Sequence, residues 1–224
     1  MVHGYDYLAQ IWLDGPLRLS DEALGAWSGE LRLLDPTLAE CCAQVVRLLD
    51  ATVERDAAIE DYEECLVIPL RSSYVPPYAS AWLDGSEGLW GPSTMGVLSR
   101  YQEAGLDWPG QQSDNGHAGE PPASGIIRPW VRAPDHLGVE CAFVADLLAG
   151  EAEVDPGATS VSAALARGFV IDHLRVWVPA YADELARHAR SRYWRGMAGV
   201  LEAWANNDAF LPVSGTCGST GSMP

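Results

Sequence analysis

The sequence predicts an all-α, single-domain helical bundle. Three observations carry that prediction. Apolar residues recur every three or four positions along most of the chain, no segment sustains the two-residue alternation of a strand, and Gly, Pro and Asp clusters separate the periodic runs. With 224 residues and 48% hydrophobic side chains, one domain can bury a substantial core.

The elements follow in order. Tyr5 to Leu13 forms a first helix, closed by Asp14-Gly15-Pro16, and Ser20 caps a second that carries Leu24, Trp27, Leu31 and Leu34. Asp35 and Pro36 restart the chain as N-cap and first helical residue, with Leu38, Cys42, Val45 and Leu49 on one stripe. Glu54 to Leu66 adds a helix with six acidic side chains, a composition typical of a solvated face. Pro69 to Gly91 lacks helical period and is expected to be an ordered irregular loop, after which Pro92 starts a helix that Gly105 stops.

Residues 107–133 are rich in Gly, Pro and Ser and are expected to form a flexible connector between an N-terminal half, 1–106, and a C-terminal half, 134–211. Pro134 fits the first position of the next helix, whose stripe is Leu137, Cys141, Val144 and Leu148 and which Gly150 closes. After Asp155-Pro156-Gly157 a helical stretch runs to Trp177, breaks at Pro179 and resumes with Tyr181, Leu185, Ala189, Tyr193, Met197, Leu201 and Trp204. The tail, 212–224, is expected to be disordered.

Composition narrows the function classes. The formal charge is −17, all basic residues are arginine, and such a surface repels nucleic acid and anionic lipid while attracting cationic partners. Five cysteines, with no C-x-x-C pair, read as reduced thiols. The N-terminus has no signal-peptide pattern and no run reaches the roughly 18 apolar residues of a membrane span, so a cytoplasmic location is expected.

No catalytic site is expected. There is no nucleophile elbow, phosphate loop or dinucleotide fingerprint, and the five histidines have no metal-ligand spacing beyond His136 with Glu140, four apart and without a third ligand. No metal and no cofactor is therefore assigned. His173 and Trp177 read as a core hydrogen bond and its packing partner. Asp135, in a first helical turn, is favoured there by the helix dipole, and as an exposed carboxylate it could pair bidentately with a guanidinium; His136 either meets a ligand or bonds a neighbouring loop. Around Pro76 and Pro77, the side chains of Tyr62, Leu66, Tyr78, Trp82 and Trp90 either pack in the core or form a stiff apolar wall for a docked peptide.

Three segments occur in one order: Pro76-Pro77-Tyr78-Ala79-Ser80-Ala81-Trp82-Leu83, Pro134-Asp135-His136-Leu137-Gly138-Val139-Glu140, and Phe169 to Pro179 with His173-Leu174 and Trp177. In this the chain resembles the TorD/DmsD family of redox-enzyme maturation chaperones, over about Tyr5 to Trp204. The resemblance implies a non-enzymatic, all-helical chaperone that binds the twin-arginine signal peptide and the apo catalytic subunit of a molybdopterin oxidoreductase. Binding delays export until the client's cofactor is inserted. The family's signal-peptide residues match Pro77, Tyr78, Asp135 and His136, with Tyr62, Cys65 and Leu66 on the preceding helix. Glu64 to Pro69 departs from the family's R-L-F-x-G-P run, and Arg128 and Arg132 in the connector bind either an anionic patch of the client or nothing. Monomers and domain-swapped dimers both remain open. The alternatives are a nucleotide-responsive, GTP-binding helical protein and an acidic scaffold for another cationic protein.

Overall fold

The structure is a computed structural model that describes residues 2–16, 21–85, 89–106, 128–149 and 161–208. Its helices are α1 (Val2–Asp14), α2 (Asp21–Leu34), α3 (Pro36–Arg47), α4 (Thr52–Asp61), α5 (Ala79–Leu83), α6 (Pro92–Glu103), α7 (Leu137–Ala149), α8 (Val161–Phe169), α9 (Arg175–His188) and α10 (Arg192–Asn206). A 3-10 turn, Leu48–Asp50, follows α3, and π-helical turns at Tyr62–Val67 and Val170–Leu174 extend α4 and α8. Among the described residues there is no strand, only an isolated bridge between Tyr78 and His136. The all-α expectation holds. Ser20, Gly150, Asp155-Pro156-Gly157, most of the connector and the 212–224 tail lie outside the described residues.

Local signals placed several boundaries correctly. Asp35 caps α3 by accepting from Thr37 N–H at 2.9 Å and Leu38 N–H at 3.0 Å, with Pro36 at the first helical position. Gly105, at φ +77°, ends α6 with paired bonds from Gly105 N–H to Gln102 C=O and from Leu106 N–H to Tyr101 C=O.

The centre of the bundle is α7. Nearly every residue from Leu137 to Leu148 is buried, a helix apolar all round rather than along the single predicted stripe. Helix α1 lies closest to it, and a Cβ on Gly138 would stand 2.6 Å from Leu13 Cγ and 3.1 Å from the Ala9 carbonyl oxygen. Gly138→Ala is expected to lower the unfolding free energy by about 1–3 kcal/mol despite alanine's better helix propensity. Gly29→Ala in α2, where a Cβ meets nothing, should raise it by about 0.4–1 kcal/mol. Urea titration of the two variants checks both signs. The same core joins the two ends of the chain: Trp12 Nε1 donates to Tyr181 Oη at 2.7 Å, and α10 packs on α9 and on α3.

Four expectations need correction. Pro134 is not the first residue of α7, which begins at Leu137, so Asp135 sits in the turn before the helix and not in its first turn. The Pro69–Gly91 segment contains a short helix, α5, too brief to display a period.

Helix α9 continues through Pro179. The proline costs about 3 kcal/mol, but Trp177, Val178, Tyr181 and Leu185 on either side are buried, and each contributes about 1.5–3 kcal/mol. Packing therefore outweighs the lost bond. The break comes instead at Ala189-Arg190-Ser191, where Ser191 Oγ accepts from Trp194 N–H and caps α10. Ala189, Tyr193 and Met197 keep a four-residue spacing across this corner, so the hydrophobic pattern does not register it.

Candidate functional site

The proline-aromatic loop and the Asp135-His136 turn, separated by more than fifty residues, are clasped together. Tyr78 and His136 form an antiparallel bridge, with Leu137 N–H donating to Pro77 C=O at 2.8 Å and Ala79 N–H to Asp135 C=O at 2.9 Å. The Asp135 carboxylate accepts from Ser80 N–H at 2.8 Å, so it supplies the N-terminal cap of α5 from a distant part of the chain. Five residues of helix exist there because that cap satisfies one of their orphan donors.

The rings complete the clasp. His136 lies between Tyr78, centroids 5.1 Å apart, and Trp130, 5.2 Å, both edge to face. Trp130 in turn meets Tyr62, which stacks on Trp194 and donates from Oη to Trp12 C=O. Tyr78 Oη accepts from Arg132 N–H at 3.2 Å and donates to Trp130 C=O at 3.5 Å. Trp82 Nε1 donates to Pro76 C=O at 2.8 Å, holding the loop's outer turn.

Burial changes what these residues can do. Pro77, Tyr78, Asp135, His136, Cys65 and Leu66 are buried, and Tyr62 is half-buried. The exposed carboxylate expected at Asp135 is a correction: it is fully covered because it caps α5. His136 Nδ1 accepts from Gly138 N–H at 3.1 Å, which leaves the ring proton on Nε2. Burial lowers the imidazole to about 3, so His136 is neutral at physiological pH. Burial raises the Tyr78 hydroxyl and takes the Cys65 thiol up to about 11. The apolar side chains the loop leaves exposed are Leu70, Leu83 and Trp90.

Sequence reasoning assigned no role to Trp130, which lies outside the three ordered segments, or to Ser80, which lies inside one of them but acts through its backbone N–H on an acceptor 55 residues away. Arg128, left open between a client patch and no role, donates from Nε and Nη2 to the two Asp14 oxygens at 2.6 and 2.7 Å, tying the end of the connector to α1. Glu140 pairs not with His136 but with His173, whose Nε2 lies 2.7 Å from Oε1. Burial raises the Glu140 carboxyl, with His173 opposing; burial alone would lower His173, but the Glu140 charge and hydrogen bond leave it raised. His173 is thus a core hydrogen bond, as its position implied. Among the described residues no group of three or more His, Cys, Asp or Glu could hold a metal ion.

A model of the nitrate reductase delta subunit family matches residues 31–183, more than half of the chain, and spans the loop, the Asp135-His136 turn and the His173 helix. The chain belongs to that family. No curated protein and no solved structure gave a match. The nitrate reductase delta subunit family is one of redox-enzyme maturation chaperones rather than catalysts, and it acts on molybdoenzyme subunits. Among the described residues no helix is long and apolar enough to cross a membrane.

Proposed function

We propose that this chain is a cytoplasmic chaperone that binds the twin-arginine signal peptide of a molybdopterin oxidoreductase's apo catalytic subunit and delays export until the cofactor is inserted. The observation that carries the reading is the clasp, which puts Tyr78, Asp135 and His136 on one bridge. A twin-arginine leader has a basic n-region followed by an apolar h-region. The h-region packs across Leu83 and Trp90 beside the half-buried Pro76 and Trp82. The n-region competes for the Asp135 carboxylate: a guanidinium takes it bidentately as the Ser80 N–H releases it, so binding lifts α5 from the turn. Neutral His136 adds no competing positive charge.

Calorimetric titration with a synthetic leader tests this. Asp135→Asn keeps an acceptor for Ser80 N–H and removes the charge, and it should weaken binding at least tenfold. Tyr78→Ala should weaken it further, and 1 M salt should reduce the arginine-dependent part while leaving apolar docking in place. Equal affinities for wild type, Asp135→Asn and Tyr78→Ala would sink the assignment.

A further inference from the structure

Trp90 holds a backbone conformation that its own side chain opposes. It stands at φ +73°, and among the described residues it is the one non-glycine residue with a positive φ. For a residue with a Cβ, and a bulky one above all, this region is crowded, whereas a glycine enters it freely. Such an outlier persists where its surroundings over-determine it, and it points to a function for the side chain so held.

The holding contact is Asp84. Its backbone N–H closes α5 on Ser80 C=O at 3.1 Å, and its carboxylate reaches across to the start of α6. There Oδ2 accepts from Ser93 N–H at 3.0 Å and Oδ1 from Ser93 Oγ at 2.5 Å. Gly91, in the capping position of α6, has no side chain to offer, so Asp84 supplies both the cap and the negative charge that a helix N-terminus favours. The fit is close: a Cβ on Gly91 would stand 2.4 Å from Asp84 Oδ2. With Gly91 against the carboxylate and Pro92 fixed in φ, the bend into α6 is taken up at Trp90.

What the bend presents is an apolar ring. Trp90 is 49% exposed, and Met95, the residue a hydrophobic staple would close it on, is 51% exposed, so the helix start does not use either of them up. Leu83, next to Asp84 on the other side of the latch, is exposed as well. Helix α5 is thus pinned by a carboxylate at each end, Asp135 on Ser80 N–H and Asp84 on Ser93.

We propose that Trp90 is the anchor on which the apolar h-region of the leader seats, and that Asp84 is its positioning residue. The Asp84–Ser93 latch fixes the ring beside Leu83 without itself touching the peptide. This rests on the signal-peptide reading and adds to it the residue pair that sets specificity for an apolar h-region. Because the backbone that carries the ring is fixed before the peptide arrives, less ordering cost falls on binding.

Calorimetric titration tests the pair with two synthetic twin-arginine leaders, one with a leucine-rich h-region and one with serine in place of those leucines. Trp90→Ala should weaken binding of the leucine leader at least fivefold and leave binding of the serine leader unchanged. Asp84→Ala should weaken the leucine leader to a similar extent, while Asp84→Asn, which keeps an acceptor for Ser93 N–H, should retain most of the affinity. Adding Asp84→Ala to Trp90→Ala should cost nothing further, because Asp84 acts through the ring. A merely structural role would weaken both leaders alike and would add to the loss from Trp90→Ala. Should Asp84→Ala unfold the protein, Gly91→Ala breaks the same latch from the other side, at a φ of −75° that alanine adopts freely, and decides in its place. Additive losses overturn the proposal, and so does a Trp90→Ala affinity equal to wild type while Tyr78→Ala still binds more weakly; either result leaves the signal-peptide reading standing. Absence of binding of both leaders to the wild-type protein overturns both.

Discussion

Acidification from pH 6.5 to pH 3 is expected to destabilise the wild-type protein more steeply than a His136→Asn variant. In the unfolded chain His136 takes a proton below its ordinary value of 6.5, whereas in the folded state burial holds it to about 3. Through that window the unfolded state binds more protons, so stability falls as pH falls, and the contribution integrates to roughly 5 kcal/mol at about 1.4 kcal/mol per unit. The raised Glu140 and His173 work in the opposite sense, since each binds its proton more readily when folded, and they remain in the variant. Asparagine is the appropriate replacement because its side-chain oxygen can still accept from Gly138 N–H. Its ring contacts with Tyr78 and Trp130 are lost, so the quantity to compare is the pH slope of the urea unfolding free energy rather than its value at one pH. Parallel slopes for the two proteins would show that His136 is protonated in the folded state.

The second large effect belongs to Asp61. It is buried at the end of α4 and accepts from Arg190 N–H at 2.9 Å and Ser191 N–H at 2.6 Å, with Arg190 Nε at 3.3 Å. These are the donors of the corner between α9 and α10, and one helical turn earlier the Ala58 carbonyl accepts from Trp194 Nε1 at 2.8 Å. Asp61→Ala leaves two backbone N–H groups without an acceptor and removes a charge-assisted bond, for an expected loss of about 3–5 kcal/mol. Arg190→Ala removes the guanidinium beside the buried Asp61 carboxylate but keeps both backbone donors that hold it, so it should cost less than Asp61→Ala. Equilibrium urea unfolding separates the two. If Asp61→Ala and Arg190→Ala had similar midpoints, the backbone capping role would be wrong.

The two predictions rest on residues of very different visibility. Asp135-His136 stood out in the sequence, and so did the Pro76–Leu83 segment, yet their joining in one bridge lies in long-range hydrogen bonds. Asp61 was one of six acids in a helix that read as a solvated face; burial and the donors it meets distinguish it from Glu60 and Glu63. Trp130, inside a segment rich in Gly, Pro and Ser, gave no periodic signal, although its ring closes the clasp over His136.

By itself the sequence determined the helical class, the Asp35-Pro36 restart, the Gly105 stop and the apolar content of α7. Caps and hydrophobic periods act within a few residues of one another, so a linear reading captures them. Only the tertiary structure decided that Asp135 is buried under α5 rather than exposed, that Glu140 answers His173 rather than His136, that α9 passes through Pro179, and that the chain bends at Arg190-Ser191. The deciding partners of Asp135, Glu140 and Asp61 lie 55, 33 and 130 residues away in the chain. At Pro179 the deciding term is burial of the flanking side chains against other helices. A local pattern holds no record of which distant donor, acceptor or surface a buried group will meet.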